Sequence, residues 1–176
     1  MFVKLQNKLP TVDWSKFKTN IILDQHYSEV RGAGSYFYKV GNITEFLMLH
    51  RSIFTIFPTS IAFCEFTGSG LVTPHRDKSD CVAMNLYLNT DDATTIFYDE
   101  VNADGTYHVV RDAKPYTTSL SSLVETGRFV AQTNDLYLLN VTEIHGIQKT
   151  TATPRTMLTY RWRNHKFNEI LNSLKI

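Results

Sequence analysis

Cysteine is nearly missing from this chain. Cys64 and Cys81 are the only two in 176 residues and form no C-x-x-C pair, which excludes a disulfide framework and makes a reducing compartment the simpler expectation. Long apolar runs are missing as well. No stretch approaches the roughly 20 residues of a membrane span, and the opening MFVKLQNKLPTVDW lacks the charged-then-apolar order of a secretory leader. A cytoplasmic protein with no membrane partner is therefore expected. Nor does one sign of charge prevail: 18 Lys and Arg face 17 Asp and Glu, a formal net charge of +1. That gives no field to steer the chain onto nucleic acid. No fixed-period repeat occurs, and the single biased stretch, Thr117 to Ser122, reads as a polar loop.

What the chain does have is β-type sequence. The runs Ser60–Phe66, Val82–Leu88, Thr94–Tyr98, Thr106–Val110, Arg128–Ala131, Leu136–Val141 and Thr156–Trp162 are rich in aromatic and β-branched residues, with turn signals at Thr67–Gly70, Asn89–Asp92, Asp104-Gly105 and Thr133–Asp135 between them. Short strands at such spacing predict a sandwich or barrel. Helical signals lie toward the ends. Thr44 can cap Glu45–Phe54, and Phe167, Ile170, Leu171 and Leu174 form one apolar stripe at helical spacing. Arg31–Gly41 shows glycines and aromatics without a clear period and reads as a loop, either an ordinary surface loop or a lid near a site. With 43% hydrophobic residues, the length suits one domain: an N-terminal helical and lid region over 1–59, a β core over 60–163 and a C-terminal helix over 164–176.

The sharpest chemical feature is Thr73-Pro74-His75-Arg76-Asp77. In extended backbone a His and an Asp two residues apart project from one face and can grip one ion. His145, just after the run LYLLNV, can return on a neighbouring strand as a third ligand. Two imidazoles and one carboxylate on one face of an octahedral ion leave adjacent positions open, the arrangement of non-haem Fe(II) oxygenases. Arg155 follows ten residues after His145, and a guanidinium is the natural fork for a carboxylate. In Val82–Asn89 the residues Ala83, Asn85, Tyr87 and Asn89 share one face and the aliphatic residues the other. Glu143 is a second-choice ligand or an outer group beside His145.

Taken together, these residues resemble the Fe(II)- and 2-oxoglutarate-dependent oxygenase superfamily, especially its prolyl-hydroxylase-like members. The pattern His75-x-Asp77, His145, Arg155 has the family's order, Met84–Asn89 is similar to its Tyr-Leu-Asn strand, and Phe97 and Asn134-Asp135-Leu136 match further positions. The resemblance covers roughly residues 60 to 163. It implies a double-stranded β-helix of jelly-roll, cupin-like type with flanking helices. It also implies Fe(II) on His75, Asp77 and His145, 2-oxoglutarate held at its far carboxylate by Arg155 and Tyr87 with Asn85 nearby, and O2 as co-substrate. The implied reaction couples decarboxylation of 2-oxoglutarate to hydroxylation of an aliphatic C–H, in a proline-like protein side chain or a small metabolite.

The chain departs from the family pattern at three places. Met157 stands where many relatives carry Ser or Thr two residues after the arginine, Glu65-Phe66 stands where prolyl hydroxylases carry a Tyr, and Asp92-Ala93 replaces a Gly-Gly. Two other classes fit the same residues: a cupin-like metal protein that does not use 2-oxoglutarate, and a non-catalytic jelly-roll binding module. His75-Arg76-Asp77 also spells a kinase triplet, but Val82 stands where the metal-binding Asn belongs and no D-F-G follows.

Overall fold

The computed structural model of the protein describes residues 1–6, 9, 13–22, 35–40, 46, 48, 52–67, 69–77, 81–90, 92–100 and 122–175. Eleven strands run in order: β1 Phe2–Leu5, β2 Lys18–Ile22, β3 Ser35–Val40, β4 Ser60–Phe66, β5 Gly70–His75, β6 Val82–Asn89, β7 Thr94–Glu100, β8 Leu123–Val130, β9 Leu136–Asn140, β10 Ile144–Lys149 and β11 Arg155–Trp162. A 3-10 turn at Trp14–Phe17 precedes β2, and helix α1, Phe167–Ser173, follows β11. The strands form a seven-stranded sheet, β1-β9-β6-β11-β4-β3-β2, and a four-stranded sheet, β5-β10-β7-β8. Every pairing between strands is antiparallel. From β4 to β11 the chain crosses between the sheets at every connection except β7 to β8. This is the expected double-stranded β-helix, two facing sheets of a jelly roll.

Strand alternation sorts the side chains of the larger sheet into two cores. Val82, Met84 and Leu86 of β6, with Leu158, Tyr160 and Trp162 of β11, face outward and pack under Trp14, Phe17, Phe46, Phe54, Phe167 and Ile170. Their neighbours of opposite parity, Ala83 and Tyr87 with Met157, face the smaller sheet and meet Val72, Phe97, Phe129 and Ile147. The parity read from Val82–Asn89 is thus the parity of the fold. The stripe on the last segment also holds: Phe167, Ile170 and Leu174 are buried, and Trp162 Nε1 donates to the Ile56 carbonyl at 3.0 Å.

Several elements differ from expectation. Ser35–Val40 is a strand paired with β4, so the Arg31–Gly41 segment is not a loop throughout; residues 31–34 and 41 lie outside the described residues. The segment Glu45–Phe54 is helical at Phe46 and Met48 but not at its end, where Ser52 and Ile53 form a turn and Phe54 bridges to Leu174; Thr44 and its cap lie outside the described residues. The smaller sheet's β8 begins at Leu123 rather than Arg128, because its exposed face carries Glu125 and Arg128 and hides the pattern. β1, β2, β5 and β10 join the sheets without a strand signal of their own. The run Thr106–Val110 and the Thr117–Ser121 stretch lie outside the described residues. Among the described residues no helix is long and apolar enough to cross a membrane.

Candidate metal centre and anion pocket

His75 ends β5, an edge strand of the smaller sheet. Its neighbour Pro74 has no N–H to give a ladder, so a proline is tolerated there only at an edge or an irregularity. Both conditions are met: His145 pairs with His75 and Ile147 with Val72, leaving two residues of β5 opposite Gly146 alone. Such a bulge twists the strand and re-aims its side chains. Gly146 is required by the same close approach, since a Cβ there would stand 2.8 Å from the Val72 carbonyl oxygen. The result brings the His75 and His145 rings to 4.6 Å between centroids, with Phe97 stacked on His145 at 5.8 Å.

Asp77 does not lie on β5. The strand stops at His75, and Asp77 is placed by its own N–H, which donates to the Val141 carbonyl at 3.0 Å. Asp77 follows the strand in the β5–β6 connection, anchored by this bond to the β9–β10 connection. Asp77 Oδ1 lies 3.4 Å from His75 Nε2, and one ligand atom from each of His75, Asp77 and His145 lies within 4.8 Å of the others. One ion can draw all three onto it.

Both histidines are held in the same way. His75 Nδ1 meets the Thr73 carbonyl at 2.8 Å and His145 Nδ1 meets the Glu143 carbonyl at 2.9 Å. A carbonyl accepts and cannot donate, so each Nδ1 carries the proton and each Nε2 keeps its lone pair for a metal. This donor set, two neutral imidazoles and one carboxylate, fits a divalent transition metal with open positions. Glu143 contributes through its backbone. Its carboxylate is engaged by Asn140 Nδ2 at 2.9 Å and by the Met1 amine, which makes it an outer group and not a ligand. Cys81 is partly exposed and Cys64 is buried in the cavity wall. His165 pairs with Glu169 on α1, and His26, His50 and His108 lie outside the described residues.

The three ligands line one cavity between the sheets together with Asn85, Tyr87 and Arg155. The three expected ligands and the three expected co-substrate residues therefore share one cavity, and Glu143 is not among the residues that line it. Arg155 is 0% exposed. Its Nη2 donates to Thr95 Oγ1 at 2.9 Å, and its guanidinium carbon stands 4.7 Å from the centre of the Tyr87 ring. No carboxylate pairs with it among the described residues, and its Nε and Nη1 are buried without a hydrogen-bond partner there. A buried cation left unpaired is costly, and an anion in the pocket would offset that cost. The walls are apolar, with Phe66, Val72, Leu139, Ile147 and Met157.

Two cavity residues escape the sequence reading. Thr95 on β7 supplies the hydroxyl against Arg155 that Met157 lacks, and nothing in its local sequence marks it. Arg161 was legible: it shares parity with Arg155 on β11 and reaches the cavity, with Nη1 3.8 Å from Asp77 Oδ2.

No protein-family model matches the sequence, and no curated protein matches it either. Solved structures with a similar arrangement include a 2OG-Fe(II) oxygenase family oxidoreductase from Burkholderia pseudomallei, 13% identical with a TM-score of 0.40 over 62% of this chain and 45% of that one. They also include HygX from Streptomyces hygroscopicus with nickel and 2-oxoglutarate bound, 14% identical with a TM-score of 0.43 over 72% and 68%. A Bacillus subtilis oxalate decarboxylase is 10% identical, with a TM-score of 0.43 over 83% and 29%. The chain spans less than half of the Burkholderia protein. Likenesses this distant carry no chemistry across: this chain is a double-stranded β-helix with a His-Asp-His cluster above a buried arginine.

Proposed function

We propose that the protein is an Fe(II)- and 2-oxoglutarate-dependent oxygenase that hydroxylates an aliphatic C–H of a proline-like protein side chain or a small metabolite. The observation that carries this reading is Arg155: a wholly buried guanidinium, without a carboxylate partner among the described residues, lining the same cavity as the ligand cluster. A metal-binding cupin that ignores 2-oxoglutarate has no use for that charge.

His75 and His145 would hold the iron through Nε2 and Asp77 through one carboxylate oxygen. Arg155 would take the far carboxylate of 2-oxoglutarate as a charge-assisted pair, with the Tyr87 ring fixing the plane of the guanidinium and the Thr95 hydroxyl holding one of its nitrogens. Asn85 would flank the bound co-substrate. When bound, iron, O2 and 2-oxoglutarate supply the oxidation, releasing succinate and CO2 as one oxygen atom enters the substrate as a hydroxyl. The apolar walls keep water from the reacting centre.

Anaerobic titration with Fe(II) and 2-oxoglutarate tests the reading through the visible charge-transfer band of the chelate. The wild-type chain gives the band, His75→Ala abolishes it, and Arg155→Ala raises the 2-oxoglutarate concentration required by roughly tenfold to a hundredfold, the cost of losing a charged hydrogen-bonding partner. A wild-type protein that shows no band refutes the proposal.

A further inference from the structure

Two of the three clustered side chains are set by one short connection. The chain leaves β9 at Asn140 and enters β10 at Ile144. Between them, the carbonyls of Val141 and Glu143 receive the Asp77 N–H at 3.0 Å and the His145 Nδ1 proton at 2.9 Å. The third side chain, His75, is anchored separately on the Thr73 carbonyl. A rotation of the peptide groups in this connection would therefore displace Asp77 and turn the His145 ring together, and leave His75 where it is.

The central residues of the connection do not favour that path by themselves. Val141 and Thr142 occupy the middle of a turn closed by the Glu143 N–H, which donates to the Asn140 carbonyl at 3.3 Å, and β-branched residues are not among those that prefer turns. The turn chemistry comes from Asn140. Its Oδ1 accepts from Thr142 twice, from Oγ1 at 2.7 Å and from the N–H at 3.4 Å. Its Nδ2 donates to Glu143 Oε1 at 2.9 Å, a carboxylate that the Met1 amine also meets, and its own N–H donates to the Met1 carbonyl at 2.9 Å. An asparagine at the first position of a turn that bonds the backbone two residues on is a local brace. Here the brace spans the residues that present both carbonyls. Asn140 is not among the residues that line the cavity, so it acts through the turn.

Resting on the metal site of the oxygenase reading above, we propose that Asn140 is a positioning residue. Its carboxamide fixes the β9–β10 turn, and through the Val141 and Glu143 carbonyls it sets the place of Asp77 and the tautomer of His145 at once. With the brace cut, the His145 Nδ1 proton loses its fixed acceptor and can move to Nε2. That nitrogen then has no lone pair to give a metal.

Heteronuclear NMR of the metal-free protein reads the hold directly, and titration with Co(II) against a chelating dye reads its consequence. In the wild type both histidines are expected to carry the proton on Nδ1, and the Asp77 amide to exchange slowly. Asn140→Ala should shift His145 toward the Nε2–H tautomer and speed Asp77 amide exchange roughly tenfold, with His75 unchanged, and should weaken Co(II) binding by about 10–100-fold, the scale of a lost supporting group. The double variant Asn140→Asp with Glu143→Gln reverses donor and acceptor across the same contact and keeps an acceptor for Thr142, so it should recover most of the affinity. Thr142→Val, at an exposed position, removes one donor and should move the same signals the same way, by about twofold to tenfold in affinity; it decides the matter if Asn140→Ala does not fold. An Asn140→Ala protein whose Asp77 exchange and His145 tautomer match the wild type overturns the assignment, as does one in which His75 changes as much as His145. A wild-type protein that takes up no Co(II) refutes the metal reading instead, while the metal-free spectra still decide whether Asn140 holds Asp77 and His145.

Discussion

Replacing Arg155 by methionine separates a group kept for a ligand from one kept for the fold. Were the guanidinium neutralised within the protein, its loss would break a buried pair and cost about 3–5 kcal/mol, or about 6–20 °C in melting temperature for a chain of this size. The described residues instead give it one hydroxyl, Thr95, and one ring face, Tyr87. Methionine removes the desolvation cost of several kcal/mol while forfeiting the ring contact, about 1–2 kcal/mol, and orphaning the Thr95 hydroxyl at about 1–3 kcal/mol. These terms nearly cancel. The metal-free variant should therefore melt within about 2–4 °C of the wild type, a difference near 1 kcal/mol. Glutarate, which keeps both carboxylates but lacks the oxo group, probes the arginine without metal chelation. At a hundred times its dissociation constant it should stabilise the wild type by about 2.7 kcal/mol, roughly 5–11 °C, and leave Arg155→Met unmoved. Differential scanning calorimetry in EDTA, with and without glutarate, reads both numbers. A metal-free variant melting more than about 6 °C lower, or one that keeps the glutarate shift, refutes the reasoning.

Other perturbations probe the supports around the site. Thr95→Val leaves Arg155 without its hydroxyl acceptor and should weaken 2-oxoglutarate binding about tenfold, measured by calorimetric titration, because a hydrogen bond to a charged group contributes about 1.5–3 kcal/mol. Gly146→Ala drives a methyl against the Val72 carbonyl and should displace β5; metal affinity, followed by competition with a chelating dye, is expected to fall by about 10–100-fold, the scale of outer-shell damage. Glu169 is held below the ordinary glutamate range, chiefly by its hydrogen bond to His165 and also by the Lys166 N–H. Its support of α1 is complete above the ordinary glutamate range and is lost as pH falls through the lowered value. Amide protection at Ile170 should then decline on acidification in the wild type and stay flat through that window in Glu169→Gln.

Much of the site was legible because strand geometry leaves its mark in sequence. Alternation along β6 put Asn85 and Tyr87 on one face, and the interval from His145 to Arg155 brought a third ligand and a cation to the same cavity. The β-helix followed from short runs separated by turns; Asn134 adopts a φ of 71° in one of them, a conformation that asparagine tolerates better than most residues. Asp77 joins the cluster as expected, although it lies just past the end of β5 and its N–H bonds to the Val141 carbonyl of another connection, a contact that its own sequence does not show. β3 was missed because the aromatic alternation in Ser35–Val40 is flanked by glycines that favour a loop. Thr95 is invisible in sequence, since its meaning comes from a strand in the facing sheet, whereas Arg161 needed only the parity of Arg155 extended along β11.

The carbonyls that hold His75 and His145 belong to the main chain, as does the Val141 oxygen that anchors Asp77. No side-chain replacement deletes an acceptor that every residue carries. Thr73, Glu143 and Val141 can each change identity while the tautomers and the carboxylate position persist, provided the backbone path is kept. The three clustered side chains themselves and the glycine that lets two strands touch are then the points of fragility, and the surrounding sequence is free to drift around a fixed His-Asp-His geometry.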